Sequence, residues 1–420
     1  MSFLGPQILK GNGNLGRTEA PGDNVFGIVL GGVAVSGLAQ LNTAYRLLSP
    51  SDAEDIGLNA AYDASNNVLV FYHINEFFRL APNAELWIML VAQTTTQTQM
   101  VTTSTGKLEA LIKADEVARK IKYVGTVRNP ALGYTPTITN GIDNDVNTAI
   151  IAAQAMLDAL FTDQIFIDGV VLEGRSFDET ASYTDLRSLN KANVSVCIGQ
   201  DPAVATLHAL HAKHACVGSV LGMLAARSVN ENLGSTDIKN KPNAKKSLPV
   251  YPLGDGTVWL SAALSSGTKV SQLTQAKKTD LTTKGYIFPG SYEGYAGIFF
   301  NSSPTCASAS SDYAFIENNR VWNKAARITR TALIPKMKAT LKKDTATGFI
   351  LPTSAAGLEA IVNTALKNQL VSIDEASGAS AYVNPQQTVD DTHPLAVKVK
   401  VVMDSIIHEM TIEIALTNQL

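Results

Sequence analysis

The sequence predicts an α/β region with a largely parallel sheet, then a C-terminal α+β unit, with extended N- and C-terminal strand arms. Strand-like and helix-like segments alternate from Val25 to about Val229, as strands joined by crossover helices do. After Asp312, two apolar stripes at helical spacing are followed by strand-like residues. Short apolar segments stand near both ends, beside Gly/Asn-rich residues at one and in period-two alternation at the other.

Residues 25–35 read as an apolar, Gly-punctuated strand and 75–81 as a short helix. Residues 86–92 (LWIMLVA) read as a buried strand and 107–118 as a helix. A strand over 121–127, a helix over 146–161, and strands over 165–172 (IFIDGVVL) and 194–198 continue the alternation. Asp201 caps a long helix with Pro202 at its first position. On that helix Gly218 and Gly222, one turn apart, let another backbone approach closely.

Residues 231–311 are richer in Gly, Ser, Thr, Pro and Lys and read as loops with short strands at 259–264 and 297–300. A helix near Asp312 carries Val321, Ala325, Ile328 and Ala332 in one stripe before Pro335. A second, over 354–370, places Leu358, Ile361, Ala365 and Leu366 on one side. Leu395, Val397, Val399 and Val401 alternate with more polar residues, and so do Met410, Ile412, Ile414 and Leu416, so two strands close the chain. A strand as apolar as the last needs a partner in its own sheet or in another copy of the chain. Phe3, Leu4, Ile8 and Leu9 read as a strand on a flexible tether through Gly11, Gly13 and Gly16.

The boundaries that follow are an arm and tether over 1–22, an α/β domain over 23–230, a loop-rich insertion or continuation over 231–311, and an α+β domain over 312–420. At 420 residues about two or three domains are expected. With 45% hydrophobic and 17% charged residues the composition is globular. A net charge of -3 gives no global attraction to nucleic acid or an anionic membrane. Three cysteines without CxxC spacing and no signal-peptide pattern point to synthesis in a reducing compartment. The run 215–226 (ACVGSVLGMLAA) is too short to cross a bilayer and reads as a buried helix.

Several patterns imitate chemical sites. Gly11, Gly13 and Gly16 fit GxGxxG, but RTEAPGD follows where a dinucleotide site needs a helix. His208, His211 and His214, near Cys216, suggest zinc; without an acidic partner in sequence reach, a partly exposed helical face is the better account. Asp143, Asp145 and Asn147 start like a calcium loop, yet Thr148 and Gln154 replace its Gly and Glu, so helix capping is preferred. Lys239, Lys241, Lys245 and Lys246 read as a solvated basic loop. Thr105-Gly106-Lys107 lacks the first Gly of a Walker loop, and no GxSxG occurs. No cofactor and no metal are expected.

The segments VFGIVLGGVAV, AYRLLSPSDAEDIGL and HINEFFRLAPNAELWIMLV resemble the N-terminal part of contractile tail sheath proteins of phages and phage-derived injection machines. GSVLGMLAARSVNENLGS, GYIFPGSYEGYAGIFFN, SDYAFIENNRVWNKAARITRTALIP followed by TGFILP, and the closing strands resemble them too. Residues 403–406 depart from the pattern by lacking a Pro-Gly turn. The resemblance implies a structural, non-enzymatic subunit that forms hexameric rings stacked helically around an inner tube protein, between baseplate and terminator or cap proteins. It implies a C-terminal domain innermost, α/β domains outside, and arms that join the sheets of neighbouring subunits. The particle would be a virion tail or an injection system assembled in the bacterial cytoplasm, without nucleic acid or membrane insertion.

On this resemblance Phe3, Leu4, Ile8, Leu9, Met410, Ile412, Ile414 and Leu416 are the intersubunit-strand residues, and Gly11, Gly13 and Gly16 the hinge. Tube-facing candidates are Lys336, Lys338, Lys342, Lys343, Glu359 and Lys367. Two alternatives stay open: a tube or baseplate component of the same machine, and an α/β enzyme with an unrecognised site.

Overall fold

The computed structural model describes residues 22–114, 120–236, 252–254 and 257–414. Its centre is a seven-stranded sheet in the spatial order Tyr286–Ile287, Val194–Cys197, Gly169–Glu173, Tyr123–Val127, Val25–Gly32, Glu85–Ala92, Ala44–Leu47. All neighbours pair in parallel except the edge strand Ala44–Leu47, which is antiparallel. Alternate residues of the central strand enter opposite cores. Phe26, Ile28 and Leu30 pack with Ile74, Phe77, Val220 and Leu224, whereas Val25 and Val29 pack with Leu111, Val146, Ile150 and Ala153. A parallel sheet needs such cover on both faces, and apolar runs such as residues 86–91 supply it.

The helix Val70–Leu80 starts earlier than the sequence pattern indicated. Its first N–H groups are capped from a distance. Asp63 Oδ1 accepts from Val70 and Phe71, both at 3.0 Å, and Oδ2 accepts from Tyr72 at 2.9 Å. This carboxylate lies outside the usual capping window in sequence, so no local signal marked the start. Against Val70–Leu80 packs the fully buried helix Val217–Ala225. A Cβ on Gly218 would lie 2.4 Å from the His73 carbonyl oxygen, and one on Gly222 2.8 Å from Phe77 Cα, so the two glycines do permit close backbone approach.

The long helix expected from Asp201 does not form. Asp201 caps only Pro202–Ala205; a short 3-10 turn, Ala209–His211, intervenes before Val217–Ala225. Tertiary contacts override helix propensity here, because Cys216 N–H donates to Gly199 O and draws the chain back to the sheet. The histidines accordingly share no helical face: His208 caps the short turn, His211 is buried and His214 is fully buried. The strand expected over 259–264 shrinks to Ala263–Leu264. Trp259 has a φ of 54° and is held by its indole N–H, 2.9 Å from Glu76 Oε2. The strand expected from Ile165 begins at Gly169.

Beyond residue 312 the helix Ile316–Leu333 buries Val321, Ala325 and Ile328. The helix Pro352–Leu366 buries Ala355, Leu358, Val362 and Leu366, so the stripe runs through Val362, while Ile361 and Ala365 are half-buried. Gly378–Tyr382 pairs antiparallel with Lys398–Val402, covering a small core with Val399 and Val401. Arg320, fully buried, donates to Leu224 O at 3.1 Å and Ser228 O at 3.3 Å, locking this unit onto the C-terminal end of Val217–Ala225. No helix among the described residues is long and apolar enough to cross a membrane.

Candidate assembly surface

Of the two closing strands, the first pairs, and the described part of the second, residues 410–414, does not. After Val402, residues 403–414 have no regular structure, and Ile407, Met410, Ile412 and Ile414 are 70%, 69%, 75% and 86% exposed. Among the described residues the expected second strand does not form, and the small sheet holds only Gly378–Tyr382 and Lys398–Val402. Phe3, Leu4, Ile8, Leu9, Gly11, Gly13, Gly16 and Leu416 lie outside the described residues.

The tail is anchored at its root. Asp404 Oδ2 accepts from Asn230 Nδ2 at 2.7 Å and Oδ1 from Ser377 Oγ at 2.6 Å. Farther on, the His408 ring stacks on Phe315 with centroids 4.4 Å apart. At the opposite end, Lys324 Nζ sits 2.5 Å from Asp23 Oδ2 and 2.5 Å from Glu375 Oε2. Arg327 reaches Asp23 at 3.5 Å and Asp168 at 2.8 Å. Burial would raise the Asp23 carboxyl, but Lys324 and Arg327 hold it below its ordinary value. These root residues escaped the sequence reading, although Arg320, Lys324 and Arg327 repeat at helical spacing beside the apolar stripe, a signal of buried charge.

Lys336, Lys338, Lys342 and Lys343 are all exposed on the segment joining the two C-terminal helices. Lys367 is exposed at the end of the second. Glu359 is engaged internally, accepting the Val383 N–H at 2.8 Å. The solvent side of Pro352–Leu366 carries Thr353, Ala356, Gly357, Ala360 and Thr364, so the charge is gathered before and after the helix instead of along it.

An active site of familiar chemistry does not emerge from the described contacts. A cavity of about 510 Å³ opens beyond the C-terminal ends of the parallel strands, lined by Tyr134, Arg175, Lys213 and Thr268 among others. Its polar groups are paired with one another: Arg175 with Glu173 and Leu210 O, Lys213 with Ser266 O, Thr268 with Glu179. Asp143 accepts the Asp145 N–H and opens the helix Asn144–Thr162, the capping role preferred over a calcium loop. No metal-holding group of His, Cys, Asp and Glu exists among the described residues. Asp390, Thr392 and His393 touch as a triad would, but both partners bind the same ring nitrogen, Nδ1, at 2.8 and 3.0 Å. A relay needs opposite nitrogens. Cys197, Cys216 and Cys306 are buried free thiols, and burial pushes Cys306 up to about 12.

Family models described as DUF2586, N-terminal domain, and DUF2586, C-terminal domain, match residues 4–304 and 312–420. No curated protein matches the sequence. Among solved structures the chain is similar to one in the cryo-EM structure of the anti-feeding prophage (AFP) baseplate, 6-fold symmetrised. That match has 13% identity and a TM-score of 0.59, covering 99% of each chain. It is similar to the AFP helical sheath in its contracted state, with 15% identity, 100% of each chain covered and a TM-score of 0.56. It is also similar to the contracted sheath complex of an extracellular contractile injection system, PVC, with 12% identity, 100% and 98% coverage and a TM-score of 0.55. The fold is therefore similar to that of chains in these sheath and baseplate structures.

Proposed function

We propose, from the premise that this chain belongs to the DUF2586 family, that it is the structural subunit of a contractile sheath. Copies polymerise as stacked hexameric rings around an inner tube, and contraction drives the tube through a target envelope. The observation that carries this reading is the tail: an alternating apolar segment, with Met410, Ile412 and Ile414 in solvent, attached to a subunit whose fold matches contracted sheaths along its full length. Such a segment gains main-chain hydrogen bonds and apolar cover by entering a neighbour's sheet.

In this reading Phe3, Leu4, Ile8 and Leu9 form the reciprocal arm, and Gly11, Gly13 and Gly16 let rings turn without breaking the mesh. The domain beyond residue 312 faces the tube, with Lys336, Lys338, Lys342, Lys343 and Lys367 as contacts. Baseplate and terminator proteins bound the stack, and the particle is a virion tail or injection system assembled in the bacterial cytoplasm. Firing draws on a metastable assembly and uses no nucleotide.

Electron microscopy of the purified protein tests this: cogwheel rings or tubes support it, and dispersed monomers at high concentration refute it. Deleting residues 2–10 should leave a folded monomer that cannot polymerise; normal tubes from that variant would remove the arm from the scheme. The AFP baseplate match favours a second reading, a baseplate component of the same machine. A baseplate subunit stops at a single ring, whereas a sheath subunit continues into tubes.

A further inference from the structure

We infer that one polar junction, built on the turn through Asp374, Glu375 and Ser377, ties the roots of both arms together, so that displacing one arm is transmitted to the other. This rests on the reading above that the two ends of the chain are exchanged with further copies of this chain.

The connection is continuous in named contacts. Asp23 is bound by Lys324, and the same ammonium group holds Glu375, each at 2.5 Å. Immediately beside it Asn230 Nδ2 donates to Asp374 O at 2.9 Å and to Asp404 Oδ2 at 2.7 Å. Ser377 Oγ closes the ring on Asp404 Oδ1 at 2.6 Å. Residues 374, 375 and 377 thus meet Asp404 on one side and, through Lys324, Asp23 on the other. Asp374 stands at a φ of 59°, a left-handed turn that places its carbonyl toward Asn230 while Glu375 faces Lys324.

The junction is shielded enough to carry force. The side chains of Lys324 and Glu375 are only 11% and 10% exposed, so salt screens their pair less than a surface pair. Lys324 is also rigidly placed on the Ile316–Leu333 helix, which Arg320 fixes to the α/β core. Beyond Asp404 the tail's next described ring contact is His408 on Phe315, and residues 409–414 are exposed. The exchangeable segment therefore begins near Glu409, and Asp404 sets the direction in which it leaves. Asp23, Lys324, Glu375, Asn230, Ser377 and Asp404 are positioning residues.

Two substitutions release one root each and spare the rest. In Asp404→Ala the Lys324 pair with Asp23 remains; in Asp23→Ala, Lys324 keeps Glu375 and Arg327 keeps Asp168. Both are read in the unpolymerised full-length chain by amide hydrogen exchange, beside Asp404→Asn, which keeps the side-chain shape and guards against misfolding. Asp404→Ala should speed exchange at residues 22–26, and Asp23→Ala at residues 398–404, each by about twofold or more, the low end of coupling between linked sites. Thermodynamic linkage makes the two effects reciprocal. Acceleration confined to the substituted root, or none at either, overturns the junction. Removing residues 409–420 and scoring polymers tests the arm-exchange reading separately, since tubes from that truncation sink the exchange without touching the exchange-rate result.

Discussion

Lowering the pH should weaken this fold through His214, and a single substitution isolates the effect. Its ring is fully buried, Nδ1–H donates to His211 O at 2.8 Å, and Nε2 has no partner. Burial, reinforced by Arg175 and His211 and opposed by that hydrogen bond, lowers its pKa from 6.5 to about 3. The unfolded chain therefore binds a proton that the folded chain refuses between those values. Stability is fully present above the unfolded pKa and is lost as pH falls toward the folded one. One such proton is worth about 1.4 kcal/mol per pH unit, so the loss reaches roughly 2 kcal/mol at pH 5.

His73, buried beside it, shifts the same way, from burial first and then His214. Asp63 opposes them: burial raises its carboxyl to about 7, so its contribution grows on acidification. Comparing the wild type with His214→Gln cancels whatever the two chains share. Urea unfolding from pH 8 to pH 4.5 should show the wild-type advantage shrinking by about 2 kcal/mol between pH 7.5 and 5. A difference that stays constant across that range would falsify the buried neutral imidazole.

Gly218→Ala places a Cβ 2.4 Å from a backbone carbonyl, so thermal unfolding should show about 1–3 kcal/mol of destabilisation; an unchanged midpoint would mean the helices are not packed this closely. Arg320→Leu loses two charge-assisted bonds to carbonyls and should cost about 2–3 kcal/mol, with earlier proteolysis between residues 305 and 316. Asp63→Ala strips three N–H groups of their acceptor and should cost about 2 kcal/mol, seen as faster amide exchange at residues 70–72. Reversing Lys336, Lys338, Lys342 and Lys343 to Glu should leave the melting temperature unchanged, since all four are exposed. If the proposed sheath role holds, it should weaken assembly on purified tube and flatten its salt dependence; tube binding with unaltered salt response would clear these lysines of the role.

The legible parts of the fold were those in which local pattern and tertiary demand agree. Residues 86–92 are apolar because both faces of a parallel strand are covered, and Gly218 and Gly222 are small because a helix backbone lies against them. The illegible parts were set by distant partners. Asp63 starts a helix from the preceding one, and Trp259 is held by Glu76 through its side chain in a backbone conformation unlike a strand. The stretch from Asp201 reads as one long helix, yet packing against the sheet breaks it into pieces.

By itself the sequence determined the alternation of strands and helices, the burial of 217–225 and the apolar periodicity of the tail, because those depend on side-chain spacing along one chain. Only the tertiary structure decided that Lys398–Val402 finds a strand partner while residues 403–414 form no strand, and that Asp23 and Asp404 are tied at one turn. Pairing and ion contacts join residues tens to hundreds of positions apart, and periodicity carries no information about which of them meet.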